Sequence, residues 1–362
     1  MKPPTPRFLL YFSQRYSIPI GRPLQTELRR RGFEMAWFCD EEESKAFLSD
    51  DDLLLERVEE VLAFNPQVVL CSTNIVPDFF PGIKVQIFHG FSVGKRSSAK
   101  GHFNIRGFFD LYCTQGPSTT QPFQELQRTH RHFEVIETGW SKVDPLFEPQ
   151  TPHRRTTPVV MISSTFTPRL SLAHNEAALN EIARLSRTGA WEFIAVLHPK
   201  MEPAVVKRVK ALENEHFTFY DTTELIALYR RADIMLADTT SAIVEFMLQG
   251  KPVVTLNNNR PDAYLLNITT PTQLENALQS ALHPSPELTD AIDQFIAQTH
   301  PYRDSQSSRR IVEASLHVLK TRHLKRKPLN LLRRCAIRQR LHYFPCLERI
   351  KEWWHSFTCK LG

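Results

Sequence analysis

The amino-acid sequence predicts an α/β protein made of two doubly wound domains that face each other across a cleft. Short apolar runs alternate with amphipathic helical stretches, the pattern of a parallel sheet covered by helices on both faces. The alternation occurs twice, and a proline-rich stretch with little apolar periodicity, residues 141–158, separates the two series as a linker. At 362 residues the chain is also long enough for two domains of roughly 150 residues each.

The first series of elements begins close to the N-terminus. Its predicted strands are residues 8–12, 35–38, 68–71, 85–88, 111–114 and 133–136. Predicted helices cover residues 22–31, which end before Gly32, and residues 53–64, which end before Asn65 and Pro66. We therefore predict a first domain over residues 1–150.

The second series follows the proline-rich stretch. Its predicted strands are residues 159–162, 193–197, 217–219, 234–237 and 253–256. Its predicted helices are residues 175–187, 202–212, 223–231, 271–282, 291–298 and 308–319, with a further one between the last two strands. We predict a second domain over residues 151–319 and a C-terminal tail over residues 320–362.

Composition narrows the class of protein. Hydrophobic residues make up 41% of the chain, as in a globular protein. No run of about 18 apolar residues is present to span a membrane, and the apolar stretch near the N-terminus is too short for a secretion signal. The six cysteines show no C-x-x-C spacing, so neither a zinc site nor a disulfide framework is indicated. These features predict a cytoplasmic protein.

Positive charge is concentrated in the C-terminal tail. Residues 320–362 hold twelve Lys and Arg against two Glu, although the net charge of the whole chain is only +6. The rest of the chain is therefore mildly acidic, which argues against nucleic-acid binding. Within the tail, cations alternate with apolar and aromatic residues such as Leu331, Trp353 and Trp354. This combination is typical of a segment that lies on an anionic membrane surface, and docking of the tail on the body of the protein is the alternative.

The most informative stretch reads strand, turn, helix, strand around residue 240. The strand predicted at residues 234–237 leads into four residues that commonly cap helices, and the helix that follows ends at Gly250. The four capping candidates are Asp238, Thr239, Thr240 and Ser241. Free amides at a helix start, with hydroxyl groups beside them, bind phosphate. The alternative is that these residues only cap a core helix.

Two histidines follow predicted strands, one in each domain. His89 comes directly after residues 85–88 and precedes a basic loop with Lys95, whereas His198 comes directly after residues 193–197. Since ligands of doubly wound sheets bind beyond the carboxyl ends of strands, both histidines are predicted to face the cleft. Imidazole titrates near neutral pH, so the pair suits proton transfer and stabilisation of an anionic centre, and an ordinary structural role is the alternative.

Further polar groups follow strands or begin helices. Arg169 lies in a hydroxyl-rich loop after residues 159–162, and Ser307 lies in a serine-rich segment that starts the last predicted helix of the second domain. Both are candidates for phosphate contacts, although a solvated loop is the alternative at Arg169. The sequence lacks a Walker A loop, G-x-G-x-x-G and G-x-S-x-G, and neither histidine has companions at metal-ligand spacing. These absences argue against ATP-driven, nicotinamide, serine-hydrolase and metal-hydrolase chemistry.

In order and spacing, these segments resemble the CDP-glycerol glycerophosphotransferase family of teichoic-acid-type polymer synthesis, which has the GT-B architecture of two Rossmann-like domains. The similar segments are FHG at residues 88–90, TGWSKVDPLF at 138–147, LHPK at 197–200, ADIMLADTTSAIVEFMLQGKPVV at 232–254 and YRDSQSSRRIVEA at 302–314. The resemblance covers roughly residues 87–314.

The resemblance implies transfer of glycerol phosphate from CDP-glycerol to the hydroxyl of a polymer or lipid-linked acceptor, with release of CMP, at the inner face of the cell membrane. The first domain would face the acceptor and the second would bind the donor, without a metal or cofactor. His89 would be the base and His198 would stabilise charge on the attacked phosphate. The implied donor-binding residues are Asp238, Thr239, Thr240, Ser241 and Glu245, with Arg169, Lys95 and Ser307 as secondary phosphate contacts. Asp238 would also orient the loop that carries the hydroxyl groups.

Departures from the family pattern leave alternatives open. Thr239 and Thr240 stand where the family has an aromatic residue and a serine, Glu245 replaces an aspartate, and Asp304 is followed by Ser305 instead of glycine. A CDP-ribitol or sugar-phosphate donor therefore stays open. So do a glycosyltransferase or nucleotide-sugar 2-epimerase of the same architecture that uses a UDP-sugar, and a non-catalytic nucleotide-binding module.

Overall fold

The computed structural model describes residues 5–91, 103–149, 156–321 and 326–344. Its first sheet has seven parallel strands in the order β3-β2-β1-β4-β5-β6-β7. These strands are β1 (Phe8–Tyr11), β2 (Met35–Phe38), β3 (Leu54–Leu55), β4 (Val68–Cys71), β5 (Ile83–Gln86), β6 (Leu111–Thr114) and β7 (Glu134–Glu137). The helices of this half are α1 (Ile18–Arg30), α2 (Glu42–Lys45), α3 (Val58–Phe64) and α4 (Pro117–His130).

The second sheet has six parallel strands in the order β10-β9-β8-β11-β12-β13. These strands are β8 (Val159–Ser164), β9 (Glu192–Leu197), β10 (Phe217–Phe219), β11 (Ile234–Ala237), β12 (Val253–Leu256) and β13 (Leu266–Ile268). The helices that follow in the chain are α5 (Glu176–Ser186), α6 (Pro203–Lys210), α7 (Ile226–Arg231), α8 (Ala242–Met247), α9 (Leu274–Leu282), α10 (Pro286–Thr299), α11 (Ser307–Thr321) and α12 (Leu331–Arg340).

The predicted fold class of two facing, doubly wound parallel sheets is confirmed. Six strands, β2, β4, β6, β10, β11 and β12, have the predicted bounds. In β4 and β11 this follows from a continuous apolar run that is buried on both faces. The predicted strand at residues 85–88 is wrong by two residues, since β5 ends at Gln86. The predicted helix at residues 53–64 is also wrong at its start, which is the short edge strand β3. Neither β13 nor α4 was predicted.

The two halves share one apolar core. A single cluster of buried side chains runs from the face of the first sheet under α1 to the face of the second sheet under α7 and α8. Helix α10 packs on α4, and α11 packs on α1, β5 and β6, so the chain returns to the first sheet after completing the second. The domain division at residues 150 and 319 stays a prediction, and α11, assigned there to the second domain, contacts the first sheet.

The start of the predicted linker is packed rather than loose. Residues 141–147 form 3-10 turns that contact α1, α7 and α11, and the side chains of Val143 and Leu146 are buried. The described part of the linker is therefore a fixed junction between the two halves.

The described part of the C-terminal tail docks on the first domain. Ile337 of α12 is buried among side chains on the face of the first sheet opposite α1, and Tyr343 stacks on Phe79 at a ring-centroid distance of 4.4 Å. Arg338 and Arg340 form ion pairs with Asp78 and Asp40 at 2.7 and 3.0 Å. Residues 326–344 therefore dock on the body of the protein, which was the alternative to a membrane role for the whole tail. Residues 345–362 lie outside the described residues.

Candidate functional site

A cavity of about 650 Å³ lies between the two halves at the carboxyl edge of the second sheet. Loops after β8, β11 and β12 form one wall, and Phe91 and the start of α4 form the opposite wall. Its lining includes eight hydroxyl groups and two arginines: Ser118, Thr119, Thr165, Thr167, Thr239, Thr240, Tyr264 and Thr299, with Arg169 and Arg260. The volume is typical of a small-molecule site, and the carboxyl edge of a doubly wound sheet is where such sheets bind ligands.

Asp238 holds two of these loops together from beneath. Its fully buried carboxylate accepts hydrogen bonds from the Ser164 hydroxyl at 2.6 Å and from the backbone N–H groups of Thr165, Leu172 and Thr239. Burial raises the pKa of this carboxyl, while the hydrogen bonds act against the increase. Because its oxygens are enclosed by protein donors, Asp238 orients these loops, and only the prediction that it contacts the donor directly is corrected.

The predicted phosphate-binding residues after β11 separate into two groups. Thr239 and Thr240 line the cavity. Ser241 is exposed, caps α8 without a side-chain hydrogen bond, and is not among the residues that line the cavity. Because α8 has only six residues, its dipole is small. The interpretation of this loop as a ligand contact therefore depends on the hydroxyl groups of Thr239 and Thr240.

The sequence analysis missed the loop after β12, which supplies the largest share of the cavity wall. Asn258 donates to the backbone oxygen of Asp238 at 2.7 Å, and the Asn259 N–H donates to the Thr239 hydroxyl at 3.2 Å. The loop also places Arg260, Asp262 and Tyr264 on the cavity. The rule that ligands bind just after strands would have identified this loop, since β12 itself was predicted with the right bounds.

The first domain contributes the start of α4, also missed. Ser118 and Thr119 lie in its first turn and line the cavity. Gly116, immediately before the helix, approaches the second half so closely that a Cβ there would lie 2.4 Å from the backbone oxygen of Thr299. This close approach brings the first turn of α4 opposite the loops of the second domain.

His89 follows a strained turn at the end of β5. The preceding residue, Phe88, is a buried aromatic in the left-handed region with φ of 59°, and its carbonyl accepts a hydrogen bond from the Trp140 indole at 3.2 Å. Such strain at a non-glycine residue requires a tightly packed surrounding, and it often marks a functional turn. The His89 ring is half-buried and lies 6.2 Å from the Tyr16 ring, between centroids.

His198 follows β9 in the other domain and is exposed. The Lys200 N–H donates to its Nδ1 at 3.0 Å, so the neutral imidazole carries its proton on Nε2. His198 can then donate a hydrogen bond from Nε2 to an anionic oxygen. The residues that line the 650 Å³ cavity include neither histidine, and His198 lines a separate shallow pocket with Lys207 and Phe219.

Two of the family-like segments contact each other instead of a ligand. Gly139 has φ of 78°, and a Cβ there would lie 2.5 Å from Ser307 Oγ and 2.9 Å from His300 Nε2. Nearby, the buried carboxylate of Asp144 accepts from the N–H groups of Ser307 and Ser308 at 2.8 and 2.7 Å and so caps α11. The prediction that Ser307 contacts donor phosphate is corrected, because Ser307 is buried at this junction.

His300 lies at the centre of the same junction. Its Nε2 accepts from the Trp140 N–H at 3.0 Å, and the side chain is almost completely buried. Burial lowers the pKa of His300 from 6.5 to about 4, so the imidazole is neutral at pH 7. The acceptor role of Nε2 requires that neutral form.

Glu245 also belongs to the junction between the halves. Its carboxylate forms an ion pair with Lys142 at 2.8 Å, and both side chains are about seven-eighths buried. The prediction of direct donor binding is corrected, because the partner of Glu245 is Lys142 of the first half's last turn.

The remaining predicted phosphate contacts have different outcomes. Arg169 is exposed, lines the 650 Å³ cavity, and forms no ion pair with any of the residues that the structure describes. No ion pair within the described residues therefore neutralises this guanidinium at the cavity wall. Lys95 lies outside the described residues.

Metal binding and membrane spanning have no candidate group among residues 5–91, 103–149, 156–321 and 326–344. No group of three or more His, Cys, Asp or Glu side chains within those residues could hold a metal ion. Among the same residues, no helix combines the length and apolar character needed to cross a bilayer.

Comparison with known proteins gives similarity at the level of fold. The family model for UDP-N-acetylglucosamine 2-epimerase matches residues 148–316. A comparison with curated protein sequences found no match.

Three solved structures are similar over most of the chain. One is a protein of Listeria monocytogenes assigned as a UDP-N-acetylglucosamine 2-epimerase, with 15% identity, coverage of 88% of this chain and 97% of that chain, and a TM-score of 0.64. Another is the wall teichoic acid polymerase TagF, with 11% identity, coverage of 87% and 89%, and a TM-score of 0.63. A third is the UDP-GlcNAc 2-epimerase of Neisseria meningitidis bound to UDP-GlcNAc, with 14% identity, coverage of 86% and 100%, and a TM-score of 0.58. At these identities the similarity establishes a GT-B-like fold of two Rossmann-like domains.

Proposed function

We propose that this chain is an enzyme that binds a nucleoside-diphosphate-linked donor in the cavity between its domains. The donor is linked to CDP, and the enzyme transfers glycerol phosphate, or a similar polyol or sugar phosphate, from it to an acceptor hydroxyl. The observation that carries the proposal is the cavity itself. Its hydroxyl groups and the Arg169 guanidinium suit a pyrophosphate, and it lies at the carboxyl edge where a doubly wound sheet binds a nucleotide.

The reaction requires one bond to form and one to break at the donor's distal phosphorus. The acceptor oxygen attacks that phosphorus, the bond to the bridging oxygen breaks, and CMP leaves with the bond's electron pair. Thr239, Thr240 and Arg169 bind the pyrophosphate and neutralise the charge that develops on the leaving group. His89, from the acceptor-side domain, takes the proton of the attacking hydroxyl.

His198 acts as a hydrogen-bond donor in this proposal, not as a base. With Nδ1 accepting from the Lys200 N–H, the neutral ring presents Nε2–H, which stabilises a non-bridging phosphate oxygen. Neither His89 nor His198 lines the donor cavity, so the proposal requires ligand-induced closure of the cleft to bring both to one phosphorus atom.

The second candidate function uses a UDP-sugar, in 2-epimerisation or glycosyl transfer. It is supported by the epimerase family match over residues 148–316, which include the loops after β8, β11 and β12. Epimerisation removes a proton from a sugar carbon and so needs a base near the sugar. Asp262 is the one carboxylate that the described part of the chain contributes to the cavity lining.

Product analysis separates these functions. The full chain is incubated with CDP-glycerol plus a hydroxyl acceptor, and separately with UDP-N-acetylglucosamine, and products are followed by phosphorus NMR. The phosphotransferase proposal predicts CMP and a new phosphodiester. Isomerisation of the UDP-sugar or release of UDP would instead establish the second candidate, and binding of a donor without turnover would indicate a non-catalytic module.

Variants at histidine test the assigned roles. Replacing His89→Asn is expected to leave donor binding within about twofold and to lower turnover by two or more orders of magnitude, the scale of a lost general base. His317→Asn, at an exposed position on α11, is the matched control and is expected to keep full activity. Full turnover by the His89 variant would exclude His89 as the base.

The proposal includes a position at the inner face of the cell membrane and a lipid-linked or polymer acceptor. Leu329, Leu331 and Leu332 are 71%, 63% and 89% exposed beside the docked helix α12, and Arg333 nearby forms no ion pair with a described residue. Apolar side chains with cations beside them suit an anionic lipid surface.

Vesicle flotation tests the membrane contact. Removing residues 320–362 is unsuitable, because it would uncover the apolar face that Ile337 covers. We expect the double variant Leu331→Ser with Leu332→Ser, and a chain ending at Phe344, each to float less with phosphatidylglycerol vesicles. Leu53→Ser, at a 52% exposed position in the first domain, is the control. Unchanged flotation of both test proteins would reject the contact.

A further inference from the structure

We propose that Phe166 is a positioning residue for His198 and thereby sets the rate of the chemical step. The inference rests on the proposed function only in assigning His198 to the transferred phosphate. Phe166 lies in the loop after β8, between Thr165 and Thr167, which both line the cavity.

The two rings are neighbours because their strands are neighbours. Strands β8 and β9 pair in parallel, with Ser164 opposite Leu197, so the chain leaves both strands at the same edge of the sheet. The Phe166 ring then lies against the His198 ring, with centroids 4.5 Å apart and planes at 43°. That separation is within the range of a favourable aromatic pair.

An exposed histidine needs such a contact to keep one orientation. His198 is exposed, so the surrounding core does not hold its side chain. The Lys200 N–H fixes the Nδ1 side of the ring, and Phe166 limits rotation of the ring away from that hydrogen bond. The two contacts together keep Nε2–H directed to one place, which is the condition for stabilising a transition state without reorganisation.

Phe166 is itself anchored from beneath. The N–H of the preceding residue, Thr165, donates to the buried carboxylate of Asp238 at 3.0 Å. The Phe166 ring is 40% exposed, so it contributes less to the core than a buried aromatic would. We attribute its place at the surface to its contact with the His198 ring. A chain of contacts thus runs from Asp238 through this loop to His198.

The contact is tested first without reference to activity. In the full chain with protonated, labelled histidine and phenylalanine in an otherwise deuterated background and with protonated amides, the wild type is expected to show NOEs from the His198 ring to both the Phe166 ring and the Lys200 amide proton. In Phe166→Leu the NOE to the Lys200 amide is expected to weaken as the imidazole samples other rotamers, whereas Phe166→Tyr keeps it. An unchanged amide NOE in the leucine variant would overturn the inference.

Kinetics with whichever donor the wild type turns over supplies the second readout. Phe166→Leu is expected to lower kcat about three- to tenfold, the rate equivalent of one aromatic contact, with KM within about twofold and Phe166→Tyr near wild type. Phe47→Leu, at a position equally exposed at 40% in the first domain, is the matched control.

The two readouts keep the inference separate from the proposed function. If no donor is turned over but the NOEs change as described, the positioning role stands and the proposed reaction fails. If CDP-glycerol is turned over and the leucine variant matches wild type in kcat and NOEs, the reaction stands and the positioning role is overturned.

Discussion

Replacing His300 removes a pH-dependent contribution to the stability of the junction between the two halves. The neutral imidazole accepts from the Trp140 N–H, and burial lowers the pKa of His300 from 6.5 to about 4. The folded state therefore binds a proton less readily than the unfolded state between these two values. Stability from this group is fully present above pH 6.5 and falls as pH decreases toward 4.

The magnitude follows from the displacement of the pKa. At 1.36 kcal/mol for each pH unit, a decrease from 6.5 to about 4 corresponds to about 3 kcal/mol, of which about 2 kcal/mol is lost between pH 7.5 and pH 5. His300→Gln keeps a hydrogen-bond acceptor but does not titrate in this range. Its free energy of unfolding should therefore fall less than that of the wild type over the same interval.

Urea denaturation of both proteins at pH 7.5 and pH 5 measures the difference. Every other titrating group is common to the two proteins, including His132, whose pKa burial also lowers, so those contributions cancel in the comparison. We expect the wild type to lose about 2 kcal/mol more than the variant. Equal losses would refute a buried, neutral His300 as an acceptor at the junction.

Three further variants test the junction, the loop anchor and the cavity. Gly139→Ala should reduce the free energy of unfolding by at least about 2 kcal/mol more than Gly32→Ala. Both glycines have positive φ, but Gly139 lies against Ser307, whereas a Cβ at Gly32 meets nothing within 4 Å. Equal losses of unfolding free energy in urea would contradict the close approach at Gly139. Asp238→Asn should lower the free energy of unfolding by about 3 kcal/mol in the same assay, because the new amide presents N–H groups to backbone N–H donors. A near-zero change would show that the carboxylate is not the acceptor of those donors. Arg169→Ala should weaken donor binding roughly tenfold or more in calorimetry while the Tm changes by about 1 °C or less, and unaltered affinity would remove Arg169 from the site.

Local sequence was sufficient for the scaffold and for part of the cavity. Strands such as β11 and β12 are short apolar runs buried on both faces, and the turn after β11 places Thr239 and Thr240 on the cavity. Periodicity could not give the end of β5, because Ile87 and Phe88 continue the apolar run after pairing stops and are buried by tertiary packing.

The missed and corrected residues depend on contacts between distant segments. Ser307, Asp144 and Glu245 occur in segments that resemble a family's functional motifs, yet each is buried by partners from elsewhere in the chain. Those partners lie 163 residues away for Ser307 and Asp144 and 103 residues away for Glu245. The sequence pattern of such a motif is the same whether its charged or hydroxyl residue binds a ligand or joins two domains. The three-dimensional contacts distinguish these two cases.

The central claim is that the cavity between the domains is the donor site, and a calorimetric titration tests it most directly. CDP-glycerol and UDP-N-acetylglucosamine are each titrated into the full chain and into the variant Thr240→Val, which removes a cavity hydroxyl at nearly constant volume. We predict that one of the two ligands binds the wild type at a single site and binds the variant several-fold more weakly. Binding of neither ligand, or equal binding to both proteins, would contradict the account.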